Sequence, residues 1–157
     1  MIRRAILLAT CIISSSCMAS GGDWNAYIIL VTNADHDTIQ ALPAKIKSIG
    51  DSLDDERAEE LTTAISMALI KDPVPVLNVT NMFETSTDRL QQRFGTLLIC
   101  SIPLITHANK VIASADEYFS KAEPALEKAG APAAECLNNM RDTIDEIRQE
   151  TSQASMN

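Results

Sequence analysis

The chain has 157 residues, of which 46% are apolar, 22% charged and only 4% aromatic. These are the proportions of one globular domain and exclude a disordered, collagen-like or linker-dominated chain. With 13 basic residues against 21 acidic ones the formal charge is −8, which argues against nucleic acid as a partner, because phosphate binding needs clustered lysine and arginine.

Residues 1–19 have the layout of a cleaved signal peptide. Arg3 and Arg4 form a positive start, Ala5 to Ile13 is apolar, and Ser14 to Ser16 are small and polar. Cys17-Met18-Ala19 places small residues at the −3 and −1 positions of a cleavage site. The apolar run is about nine residues, against about 20 needed to span a bilayer. A second possibility is lipidation at Cys17, which would tether the domain to a membrane surface. The Leu-like residue usual at −3 of such sites is missing, although Ile13 lies one step further back. Either route delivers the chain to the periplasm or beyond.

Ser20-Gly21-Gly22 reads as a flexible lead-in, and Asp23 as the cap of a helix from Trp24 to about Val31. The run from Tyr27 to Thr32 also has strand character, and its helical surroundings decide for a buried helix. Asp35 or Asp37 caps the next helix, whose stripe is Ile39, Leu42, Ile46 and Ile49. Pro43 implies a kink or fresh start within it, and Gly50 suits its C-terminal end.

Ser52 or Asp54 caps the clearest helix. Leu61, Ala64, Ile65, Ala68 and Leu69 form its inner face, with Glu59, Glu60, Thr62 and Thr63 opposite. Lys71 suits the end of its dipole and Pro73 stops it. Asp72-Pro73 then reads as cap and first residue of a helix with an inner stripe of Val74, Leu77 and Val79 to Met82.

Ser86 or Thr87 starts a fifth helix with core positions Leu90, Phe94, Leu97, Leu98 and Ile102, stopped by Pro103. Thr106 opens a sixth, carrying Val111, Ile112, Ala115, Phe119, Ala122 and Leu126, with a kink at Pro124 and an end at Gly130. Pro132 starts the last helix, lined by Cys136, Leu137, Met140, Ile144 and Ile147. The expectation is an all-α, irregular bundle of six or seven short antiparallel helices in one domain, residues 20–150, with a disordered tail at 151–157. Removal of residues 1–19 takes Cys11 and Cys17 with it and leaves Cys100 and Cys136. In an oxidising compartment these two form one bridge, which closes a loop of about 36 residues and stabilises by ~3–4 kcal/mol in the chain-entropy model.

Catalytic signatures are scarce. The chain contains no H-E-x-x-H, C-x-x-C, G-x-S-x-G, P-loop or G-x-G-x-x-G pattern. Asp35-His36-Asp37 reads as a polar capping loop, and His107 as a surface residue near a helix start. Asn78-Val79-Thr80 is a glycosylation sequon, of consequence only in a eukaryotic source. No enzyme activity, metal or cofactor is expected.

The most distinctive feature is the acid cluster Asp51, Asp54, Asp55, Glu56, Glu59 and Glu60. It complements a helix dipole and favours solubility, and it also offers a docking face for a basic protein. A second acidic face carries Asp142, Asp145, Glu146 and Glu150, interrupted by Arg141 and Arg148. Small, exported, acidic, helical and singly bridged, the chain resembles in type the periplasmic immunity and inhibitor proteins that occlude secreted toxins. On that reading, charge reversal at Asp54, Asp55 and Glu59 weakens partner binding and leaves thermal stability nearly unchanged. The alternatives are an envelope lipoprotein with a structural or assembly role and a carrier that holds a small ligand between helices.

Overall fold

A computed structural model describes residues 21–110 and 112–156. The expected signal segment 1–19, the lipidation site Cys17, residue Val111 and the side chains of His107 and Ile112 lie outside the described residues. The fold is all-α. Its helices are α1 (Gly21–Thr32), α2 (His36–Gln40), α3 (Leu42–Ile49), α4 (Asp55–Lys71), α5 (Pro73–Glu84), α6 (Arg89–Gln92), α7 (Thr96–Lys110), α8 (Ile112–Ala129) and α9 (Ala134–Ala154).

Local chemistry sets most boundaries. The β-branched run of α1 is helical throughout, and the helix starts at Gly21, where a flexible lead-in was expected. Asp35 caps α2 by accepting from the Thr38 amide at 3.0 Å and its hydroxyl at 2.6 Å. Those two bonds, the hydroxyl's first, hold the Asp35 carboxyl below its usual range. The charged cap therefore persists at neutral pH and is lost only as pH falls through the lowered value. Pro43 does mark a fresh start, because α2 ends before Ala41 and α3 begins at Leu42. Asp54, not Ser52, caps α4 through the Arg57 amide at 2.9 Å.

α4 lies at the centre of the bundle, in contact with α1, α5, α7 and α8. Leu61, Ala64, Ile65, Ala68 and Leu69 are all buried, as their spacing predicts. Full burial of each large aliphatic side chain is worth about 1.5–3 kcal/mol. α5 departs from expectation. Pro73 does occupy its first turn, but the inner stripe is Val76, Leu77, Val79, Thr80 and Phe83. Met82 is 60% exposed and Val74 is only half-buried. Phe83 takes the core position and meets Phe94 edge-on, with ring centroids 6.5 Å apart.

The expected fifth helix is two. α6 is one short turn capped by Asp88, whose side chain accepts from the Leu90 amide at 2.9 Å. The chain then bends through Arg93, Phe94 and Gly95 before α7 begins. Glu84, at the end of α5, accepts from the Leu97 amide at 3.1 Å and so satisfies a free donor in the first turn of α7. Gly95 permits this approach, since a Cβ there would lie 2.5 Å from the Glu84 carboxylate. The bend resets the helical phase. Leu97 and Leu98, expected in the core, are 44% and 41% exposed, while Ile99, Cys100 and Leu104 are buried.

Pro103 does not stop this helix, and Thr106 does not open a new one. α7 continues through both to Lys110. An internal proline costs one helical hydrogen bond and a steric clash, about 3 kcal/mol. Packing of α7 against α4, α5, α8 and α9 offsets that cost. Pro124 is likewise internal to α8. Gly130 ends α8 with φ +71°, the left-handed geometry that suits glycine.

Pro132 lies within a single 3-10 turn, Ala131–Ala133, rather than opening the last helix, and α9 starts after that turn at Ala134. α9 remains helical to Ala154, past the expected boundary at residue 150. Cys100 and Cys136 form the expected disulfide, with Cα atoms 5.5 Å apart, and join α7 to α9. Arg141 reaches α8 through Glu123 at 2.8 Å and through Glu127, while Arg148 pairs with Asp116 at 2.7 Å and lies over the Phe119 ring. These arginines staple α9 to α8. Arg141 spends its pairs on α8, whereas Arg148 also lies 3.5 Å from Asp145 and so does interrupt the acidic face of α9.

Candidate functional site

A groove with a cavity volume of about 400 Å³ lies between α4, α7 and α8. One stripe of α4 forms its long wall: Asp55, Ala58, Glu59, Thr62, Thr63, Ser66 and Met67. These positions recur at three- and four-residue steps, so they lie above one another on the helix. The stripe is about 18 Å long at 1.5 Å per residue. The facing wall is Leu98, Ile102, Pro103 and Thr106 of α7. Tyr118 of α8 closes the far end and Arg93 stands at the near end.

The two ends differ chemically. At the near end the Arg93 guanidinium lies 2.8 Å from the Asp55 carboxylate. Glu59, one turn further along α4, is exposed and has no charged or hydrogen-bonding partner among the described residues. At the far end the Tyr118 hydroxyl donates to the Ser66 carbonyl at 3.2 Å. Burial pushes the Tyr118 phenol far above its usual pKa, so it stays protonated. The Ser66 hydroxyl donates back to the Thr62 carbonyl at 2.7 Å. The far half therefore presents mainly hydrocarbon, with Met67, Leu98, Ile102 and Pro103 around it.

The six acidic residues do not share one surface. Asp54 is committed to capping, and Asp55 to Arg93. Glu60 turns to the other side of α4 and accepts from the Trp24 indole of α1 at 2.5 Å. Asp51 lies in the 3-10 turn before α4, and Glu56 is exposed. Only Asp55 and Glu59 line the groove. Charge reversal at Asp54 is therefore not neutral to stability. Asp54→Ala is expected to cost about 1 kcal/mol through loss of the cap. Glu59→Ala, on an exposed position, should stay within about 0.5 kcal/mol. Urea denaturation of both variants checks this difference.

No three His, Cys, Asp or Glu side chains are grouped to hold a metal ion among the described residues. His36 is exposed beside the Asp35 cap. Thr80 of the sequon is buried, with its hydroxyl 2.8 Å from that of Thr96. Sequence reasoning missed Arg93, Met67 and Tyr118, and assigned Leu98 and Ile102 to the core. The available signal was the short side chains Ala58, Thr62 and Ser66 at four-residue steps on α4. They leave room beside α7. No known protein family matches the chain, and no curated protein or solved structure matches it either.

Proposed function

We propose that this protein is a non-catalytic binding protein, exported from the cytoplasm, that carries a small amphiphile in the α4–α7–α8 groove. The groove itself carries this reading. Its volume of about 400 Å³ falls within the range of small-ligand sites, roughly 300–1,000 Å³, and an apolar lining with a few polar groups is their usual make-up. The frame around it is stiffened by the bridge between α7 and α9. A preformed site loses less entropy on binding. Export is supported by the layout of residues 1–19 and by a disulfide of the kind that persists in oxidising compartments. No described helix is long and apolar enough to cross a membrane.

The test is native mass spectrometry of the protein purified from its own cells, together with titration of an apolar fluorescent dye. A retained small molecule, or saturable dye binding, should disappear in Thr62→Phe, which fills the groove. Circular dichroism verifies that this variant is folded. Dye binding that is unaffected by Thr62→Phe, with no retained mass, would reject the carrier.

A second reading, occlusion of a basic protein such as a toxin, is favoured by one observation. Met67 is 38% and Leu98 41% exposed at the groove, with Glu56 and Glu59 exposed nearby on α4. An apolar centre with a charged rim is the anatomy of a protein interface. Reversal of Glu56 and Glu59 to lysine separates the readings. It abolishes capture of a basic protein and leaves binding of an uncharged apolar dye intact.

A further inference from the structure

Resting on the carrier reading, we infer that the groove selects a hydrophobic cation: an apolar chain that ends in an ammonium or guanidinium group. The balance of charge along the walls sets this preference. Among the described residues three charged side chains line the groove, Asp55, Glu59 and Arg93. Arg93 is 2.8 Å from Asp55, so that pair is close to neutral. Glu59 is left over. Its carboxylate stands about one turn from the charged end of the stripe, where a cationic head group would lie if the chain ran toward Met67 and Tyr118.

An anionic amphiphile meets the opposite situation. It would have to draw Arg93 away from Asp55 and would place its own charge beside Glu59. A neutral amphiphile gains only the apolar contacts. Among the described residues the far end offers an anion no charged anchor. The Tyr118 and Ser66 hydroxyls there already donate to backbone carbonyls of α4. The overall charge of −8 acts in the same direction, raising the local concentration of cations around the molecule.

The size of the preference follows from where Glu59 is. It is solvent-exposed, and a pair at such a position is worth at most about 1 kcal/mol, or roughly a fivefold change in affinity. Screening by salt should reduce it further.

The experiment uses the full chain and three probes of matched length, namely octylammonium, octanol and octanoate, titrated by calorimetry at pH 7 and low ionic strength. Octylammonium should bind more tightly than octanol, by up to about fivefold, and octanoate more weakly than both. Glu59→Gln should bring octylammonium to the level of octanol, while Thr62→Phe should remove binding of all three. Octanoate binding as tightly as octylammonium, or a cation preference that survives Glu59→Gln, overturns the inference and leaves the carrier standing. If no probe shows binding that Thr62→Phe removes, the carrier reading is overturned, and this inference with it.

Discussion

Phe83→Ala should lower the free energy of unfolding by about 3–5 kcal/mol, the usual cost of removing a buried phenyl ring and leaving part of its cavity unfilled. Phe83 is fully buried, and α5, which carries it, packs against α2, α3, α4, α6, α7 and α8. Its loss also leaves Phe94 without an edge-on aromatic partner, and such pairs are worth about 0.5–1.5 kcal/mol beyond area burial. Domains of this size are stable by only about 5–15 kcal/mol. The variant should thus be marginal, with a urea midpoint moved well below that of the parent. The control is Met82→Ala, one residue earlier in the sequence. Met82 is largely exposed, so its truncation should change stability by less than about 0.5 kcal/mol. Equal effects at the two positions would mean that α5 is rotated from the orientation described.

The second large effect concerns the bridge. Cys100 and Cys136 are separated by 36 residues. For a loop of that size the chain-entropy model gives about 3–4 kcal/mol. Both cysteines are buried, so serine would add the burial of a hydroxyl to the lost crosslink. The double variant Cys100→Ala/Cys136→Ala is the cleaner comparison. It should lose about 3–4 kcal/mol relative to the oxidised parent. If its stability in urea equals that of the oxidised parent, the crosslink contributes nothing to the fold. Because the sulfur atoms are shielded, the native protein should also resist mild reductant until it is partly unfolded.

The sequence discloses the helices better than their neighbours. Apolar spacing places α4 and the inner face of α9 correctly, because each is long and uninterrupted, so that a single phase holds from end to end. It fails where the phase is interrupted. The bend at Arg93–Gly95 turns Leu97 and Leu98 outward, and nothing in the local pattern marks the size of that rotation. Proline signals are similarly ambiguous. Pro43 and Pro73 occupy first turns, where a missing amide costs little. Pro103 lies inside α7, where the contacts that offset its cost come from distant segments. The bridge is legible because only two cysteines follow the leader-like segment.

The groove is the least legible part. Its walls come from residues 55–67, 93–106 and 118, which only tertiary packing brings together. Along α4, threonine and serine read naturally as a solvent face, and the same short side chains are what leave space next to α7. The acid cluster misleads for a related reason. Consecutive acids on a helix point in different directions, so one patch in the sequence becomes a cap, an ion pair, a bond to the Trp24 indole and a carboxylate at the groove.

The covalent tie between α7 and α9 has a kinetic corollary. Amides around Cys100 and Cys136 should exchange with deuterium only through near-global opening, since neither helix can detach while the other holds it. α1 has no such tether. It leans mainly on α4 and leaves Ile29 and Leu30 in solvent, so its protons should be traded early. The molecule would then loosen from its amino-terminal coil inward, with the α7 side of the cavity the last to melt.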